Sequence, residues 1–135
     1  MQCAMEQAKL SPCLMRHGCV AVMNGRIVGK GYNHYRTNSK DGFIHNCMTC
    51  HAEIAALRAV HKRAANFKKI TIYVCRVDST NQLQESTPCS HCMDTILLLN
   101  IKRVVHSIPN GGIISHLPHE CQTTHISIGY KKLII

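Results

Sequence analysis

His51, Glu53, Cys89 and Cys92 are the residues of this sequence whose types and spacing could do chemistry. They stand in two short stretches, His51-Ala52-Glu53 and Pro88-Cys89-Ser90-His91-Cys92. One imidazole and two thiolates make three protein ligands for a zinc ion, and a catalytic zinc keeps its fourth tetrahedral position for water. Glu53, two residues from the imidazole, is placed to take a proton from the attacking water and return it to the substrate. A structural zinc would need a fourth protein ligand. His91 sits between the cysteines, but on a helix it projects about 100° from either neighbour, toward cleft or solvent. Cys47-Met48-Thr49-Cys50-His51 also spells the c-type haem attachment signature. That reading would consume His51 and leave the second cysteine pair without a purpose.

Helix starts are needed to position these groups. Cys89 and Cys92 stand three apart, a spacing that at the start of a helix puts both sulfurs on one side of the same turn. Thr87 is read as the N-cap and Pro88 as part of the first turn. His51 opens the apolar helical run Ile54, Leu57, Val60, with Thr49 as its cap, and this helix is expected over about 50–63. Two helix N-termini then face one metal, and their partial positive charge favours thiolates. Arg58, His61, Lys62 and Arg63 match the negative end of the first of these helices.

The order HxE, then a few tens of residues, then PCxxC resembles the zinc-dependent cytidine and deoxycytidylate deaminase family, over nearly the whole chain. The resemblance implies an α/β fold, a three-layer α/β/α arrangement with a central mixed sheet of about five strands flanked by helices. It implies Zn2+ on His51, Cys89 and Cys92, with Glu53 as the proton shuttle. Gly31-Tyr32-Asn33 resembles the family's GYN segment, whose Asn reaches the sugar and base of the substrate; the alternative is that Asn33 ends a strand by its turn preference. By the same resemblance the Thr87 carbonyl accepts from the exocyclic amine, and the Ala52 N–H meets the ring's carbonyl oxygen.

The activity so implied is hydrolytic deamination of a cytosine nucleoside or nucleotide: cytidine, deoxycytidine or dCMP. The HAEIAAL wording is also similar to tRNA adenosine deaminases, whereas the GYN segment and the long polar loop before HAE look more like deoxycytidylate deaminases. A nucleic-acid deaminase acting on cytosine or adenosine in single-stranded DNA or tRNA is therefore the alternative, and the scarcity of aromatics for base stacking weighs against it. A catalytically silent zinc scaffold could dispense with Glu53, which is present.

Composition bounds the remaining choices. At 135 residues the chain is read as a single domain over 1–135, large enough for one core. There is no Trp, and only four Tyr and two Phe, so that core is expected to be aliphatic. No apolar run approaches the roughly 18 residues of a membrane span, and the N-terminus lacks the parts of a signal peptide, so a cytoplasmic protein is expected. Nine cysteines, an odd count with two assigned to zinc, fit reduced thiols better than a disulfide framework. Net charge is +9 and the pI about 9.3, which favours an anionic partner, nucleotide or nucleic acid.

The remaining segments read as scaffold. Met1, Ala4, Met5 and Ala8 recur at helical spacing until Ser11-Pro12 breaks the pattern. Runs 17–23 and 26–32 flank Asn24-Gly25 and are read as a hairpin, with Gly29 and Gly31 marking close backbone approach. Residues 34–46 form a polar loop in which Arg36 and Lys40 are candidates to meet a phosphate. Residues 69–76 and 101–108 are strands by their β-branched density. Pro109-Asn110-Gly111-Gly112 favours an antiparallel return over 113–117, although 118–124 leaves room for a crossover to a parallel strand at 125–133. Cys47 and Cys50 are weighed as a second metal pair with Cys13, Cys19 or a nearby His, against a role as small packed residues. Met93, Leu97 and Leu98 cannot all face one sheet, so a homo-oligomer is expected.

Overall fold

The computed structural model describes residues 1–35, 40–41 and 50–120. They build a mixed six-stranded sheet with helices on both faces, the three-layer arrangement expected from the resemblance. Helix α1 (Gln2–Lys9) covers one face through Ala4 and Ala8, against Val20, Cys75 and Val77. Helices α2 (Ala52–Lys62) and α3 (Ser90–Leu98) cover the other, where Leu57, Val60 and Ile96 meet Ile72, Val74 and Val104. The aliphatic core read from composition is thus split into two layers, because adjacent strand residues point to opposite faces.

Strands β1 (Arg16–Met23) and β2 (Arg26–Tyr32) form the hairpin that Asn24-Gly25 specifies. Both turn residues have positive φ, 52° and 76°, as a type I′ turn requires. Strand β1 also pairs antiparallel with β3 (Thr71–Val77), which runs parallel to β5 (Arg103–Ser107), with α3 in the connection. The two-residue strand β4 (Leu83–Gln84) pairs with the end of β3. Strand β6 (Ile113–His116) returns antiparallel on β5, so the hairpin is the observed outcome. The spatial order is β2-β1-β3-β5-β6. A further strand at 125–133 lies outside the described residues.

Gly29 and Gly31 explain how α2 reaches the sheet. A Cβ on Gly29 would stand 2.5 Å from the Ala56 carbonyl oxygen, and one on Gly31 2.5 Å from the Ala56 nitrogen. Helix α2 therefore rests directly on the β2 backbone, with Ala52 and Ala56 fully buried beneath it. Close approach was the expectation for these glycines, and the first turns of α2 are what approaches.

Two helix starts differ from expectation. Helix α2 begins at Ala52 with His51 itself at the N-cap; Thr49 lies outside the described residues. Helix α3 begins at Ser90 with Cys89 at the N-cap, so Thr87 does not cap it. The reason is local: the Thr87 N–H and hydroxyl both donate to Glu85 Oε1, which holds Thr87 and Pro88 in the approach to the helix.

Candidate active site

The site is assembled where two chain segments are tied to the sheet. After β2, the His34 N–H donates to the Cys50 carbonyl at 3.0 Å and the Cys50 N–H returns a bond of 2.6 Å to the His34 carbonyl. This bridge brings the start of α2 back to the end of β2, and His51 follows in extended conformation (φ −74°, ψ 152°). The second segment is held by Ser86. Its hydroxyl donates to the Val74 carbonyl at 2.9 Å and lies 2.8 Å from Ser107 Oγ, while its N–H donates to the Ser107 carbonyl at 3.1 Å. Ser86 is thereby stitched between β3 and β5, both serines are buried, and Cys89 emerges at the head of α3.

These ties converge on one group. His51 Nδ1 lies 3.1 Å from Cys92 Sγ and 3.5 Å from Cys89 Sγ, and the three ligating atoms are all within 4.8 Å of one another. Tetrahedral zinc with ordinary Zn–N and Zn–S bonds sets its ligand atoms roughly 3.5 to 3.8 Å apart. The three residues therefore fit zinc, and His91 is not in the group. Glu53 completes the arrangement. It is 3% exposed, and its Oε1 is buried without a partner among the described residues. A buried acceptor left unpaired costs about 1–3 kcal/mol, so this oxygen fits a site built around a metal and a water.

The electrostatics of the chain without metal follow from the crowding. The Cys92 thiol donating to Cys89, helped by His51, outweighs burial and holds Cys89 down to about 3. Cys92 is pushed far up by the same contact and by its burial. Burial also raises Glu53, although the His51 charge opposes it. For His51 burial acts downward, but contact with Cys89 and the charge of Glu53 leave it raised overall. Zinc requires both sulfurs as thiolates, so its uptake displaces the proton that Cys92 retains.

The residues assigned to substrate are placed as follows. Ala52 buries its methyl in the core, and its N–H is one of the first-turn donors of α2 that no intrahelical carbonyl reaches. Thr87 is half-buried beside Pro88. Asn33 follows β2, and its amide is partly engaged: Nδ2 donates to the Met15 carbonyl at 2.7 Å, and Oδ1 accepts from the His17 N–H at 2.8 Å. One N–H and one lone pair are left over. Asp94, the other acidic residue near either motif, is exposed on α3.

Lys40 is exposed, while Arg36 and Cys47 lie outside the described residues. Cys50 is buried against Ile54, Cys89 and Cys92, and Cys13 approaches the Asn33 carbonyl. Among the described residues neither belongs to a second metal-binding group. Ser86, Ser107 and Glu85 were not singled out from sequence. Ser86 and Glu85 adjoin Pro88-Cys89 and carried that much of a signal; Ser107, in a β-branched strand, carried none.

Comparison with known proteins extends these findings. The family model described as the cytidine and deoxycytidylate deaminase zinc-binding region matches residues 1–108. A tRNA-specific adenosine deaminase of Buchnera aphidicola subsp. Baizongia pistaciae is 32% identical over 109 residues, which are 78% of this chain and 57% of that protein. The riboflavin biosynthesis protein RibD of Escherichia coli is 31% identical over 125 residues, 87% of this chain and 28% of that one. The chain thus spans well under two thirds of either relative's length. A crystal structure of cytidine deaminase from Burkholderia pseudomallei superposes with a TM-score of 0.69 at 15% identity, covering 93% of this chain and 94% of the other, which shows a common fold. With a family match of that extent across all three candidate ligands, the chain belongs to the cytidine and deoxycytidylate deaminase family.

Proposed function

We propose that this chain is a zinc-dependent hydrolytic deaminase that converts a cytosine nucleoside or nucleotide (cytidine, deoxycytidine or dCMP) to the uracil form with release of ammonia. The observation that carries the chemistry is the buried, unpartnered Glu53 oxygen beside the His51, Cys89 and Cys92 group. Zinc held by those three ligands would supply Lewis acidity and make water nucleophilic near neutral pH. Glu53 does the proton work. It takes a proton as water attacks C4 of the ring and delivers it to N3; it then takes the second water proton and hands it to the departing amine. Water and cytosine thus become uracil and ammonia, and the carboxylate is regenerated. In this reading the Ala52 N–H meets the ring carbonyl, the Thr87 carbonyl receives the exocyclic amine, and the remaining amide capacity of Asn33 meets the sugar.

The antiparallel return of β6 on β5 supports a free nucleoside among these substrates, because family members resembling nucleoside deaminases make this hairpin, whereas those resembling deoxycytidylate, tRNA-adenosine and polynucleotide deaminases cross over to a parallel strand. Seven described cysteines stand as free thiols, which supports a reducing, cytoplasmic setting. Among the described residues no helix is long and apolar enough to cross a membrane. The second reading, deamination of a base within a nucleic acid, is favoured by the +9 charge and by the similarity to a tRNA-specific adenosine deaminase. Ammonia release from a panel of nucleosides, monophosphates and single-stranded oligonucleotides separates the two. Turnover on free cytidine, deoxycytidine or dCMP is the expected result, and turnover on oligonucleotides alone would reverse the order. Glu53→Gln retains shape without shuttling protons, so turnover is expected to fall by about 10²- to 10⁴-fold with zinc retained.

A further inference from the structure

Unpaired positive charge gathers at the end of the sheet away from the candidate active site. A cleft of about 660 Å3 there is lined by Lys68, Lys69 and Lys102 together with Asn24 and Tyr73. Asn24 also lines a neighbouring cleft of about 540 Å3, whose cations are Arg26 and Arg63. The backbone beneath these side chains is fixed. Asn66 caps the 3₁₀ turn Phe67–Lys69 by accepting from the Lys68 N–H at 3.1 Å, and the Lys102 N–H donates to the Ile70 carbonyl at 2.8 Å. Among the described residues no acidic side chain lines either cleft, and none of the five cations is ion-paired. The dipole of α2 accounts for Arg63 at its C-terminus. It does not account for Lys68, Lys69, Lys102 or Arg26, which sit on other elements.

We infer that the two clefts form a tract for the phosphate backbone of a single-stranded polynucleotide. Five cations over two adjoining clefts are more than one phosphate group needs and match an anion that repeats. Tyr73 is half-buried in the wall of the larger cleft, and an aromatic face beside a cationic groove is what base stacking uses. The tract is separate from the catalytic chemistry. His51 and Arg63 cap the two ends of the 11-residue α2, and at 1.5 Å per residue the 12 steps from one to the other put about 18 Å between them.

Fluorescence anisotropy of an end-labelled single-stranded RNA oligonucleotide, titrated with the full chain over a range of salt, tests this. Five phosphate contacts at about 0.7 each predict a slope of log K against log salt near −3.5, or about 50-fold weaker binding for about threefold more salt. Lys68→Gln/Lys102→Gln should reduce that slope by about 1.4. Lys9→Gln/Lys30→Gln, which removes the same charge from exposed positions on α1 and β2, should leave it unchanged. Loss that is equal in the two double variants, absence of RNA binding at low salt, or equal competition by polyglutamate of matched charge would each overturn the inference. Cytidine turnover is measured alongside and is expected to be the same in all three proteins. A chain that binds RNA without deaminating cytidine would count against the proposed reaction and leave the tract standing.

Discussion

Gly31→Ala is the substitution that most directly tests how the fold positions the site. The new Cβ would stand 2.5 Å from the Ala56 nitrogen, 2.6 Å from the Ala55 Cβ and 2.7 Å from the Ala52 carbonyl oxygen. All three belong to the framework of α2, so no flexible side chain can swing aside. Restoring ordinary contact requires the helix to retreat by about 1 Å. Overpacking of this kind costs about 1–3 kcal/mol, and a rigid obstacle puts the expected loss near the upper end. The part of α2 that must move carries His51 and Glu53, and a misplacement of about 1 Å can lower a rate by about 10²-fold. Gly25→Ala is the control. Its Cβ would meet nothing within 4 Å, but its φ is +76°, so it should cost about 1 kcal/mol through backbone strain alone and leave turnover unchanged. Urea denaturation at fixed free zinc gives the stability, ammonia release gives the rate, and metal analysis gives the zinc content. A Gly31→Ala protein within about 0.5 kcal/mol of wild type, the usual range for inert surface changes, and turning over normally would refute the claim that α2 is seated on β2 by this contact.

Other expectations follow from single features. Cys89→Ser and Cys92→Ala should each lose zinc, and with it stability, because metal binding at such a site is also folding free energy; one zinc per chain retained by both variants in metal analysis would remove these ligands from consideration. Asp78 accepts from the N–H and hydroxyl of Thr80, the Gln82 N–H and the Gln84 amide, and bonds to these backbone and side-chain groups hold its carboxyl well below the usual range. A depressed carboxyl contributes stability that is present above its unfolded value and is lost as pH falls toward the folded one. Wild type should therefore lose more stability than Asp78→Asn when denaturation midpoints are followed downward from about pH 4, and parallel curves would contradict this. Leu97 and Leu98 are 46% and 80% exposed on α3 while Met93 is buried, so light scattering should report a dimer or larger, and Leu98→Glu should shift the mass downward; a monomer at micromolar concentration would exclude the oligomer.

The parts of the fold that the chain announces locally are those whose physics is local. Asn24-Gly25 and Asn110-Gly111 specify left-handed turns, and both hairpins are present. His51, Cys89 and Cys92 were legible because metal ligation restricts residue type and spacing, and the three do converge. The misjudged start of α3 had a different cause. Thr87 has the right chemistry for an N-cap, but Glu85 lies two residues before it and takes both its N–H and its hydroxyl, a competition that propensity does not express. The Ser86–Ser107 tie spans 21 residues and depends on β3 and β5 already being neighbours, so neither serine could be recognised before the sheet order was known. For Asn33 the strand-ending role and the substrate role turn out to be compatible, because the backbone of Met15 and His17 engages only part of its amide.

The order of these dependencies explains why a few residues carry so much of the site. His51 reaches the sheet through the His34–Cys50 bridge and the seat of α2 on Gly31; Cys89 reaches it through Ser86 and Ser107. The two segments meet only at their tips, where Cys50, Ile54, Cys89 and Cys92 form a small cluster apart from the main core. So few apolar groups bury little surface, and hydrophobic contact alone joins these tips weakly. His51 Nδ1 and the sulfurs of Cys89 and Cys92 are crowded together at the junction of the two segments. Zinc would convert this crowding into a cross-link between the heads of α2 and α3. The same ion would then hold together the two helix starts whose relative position the proposed chemistry requires. On this reasoning any substitution that loosens either tie, such as Ser86→Ala or Ser107→Ala, should weaken zinc affinity before it measurably changes the global fold.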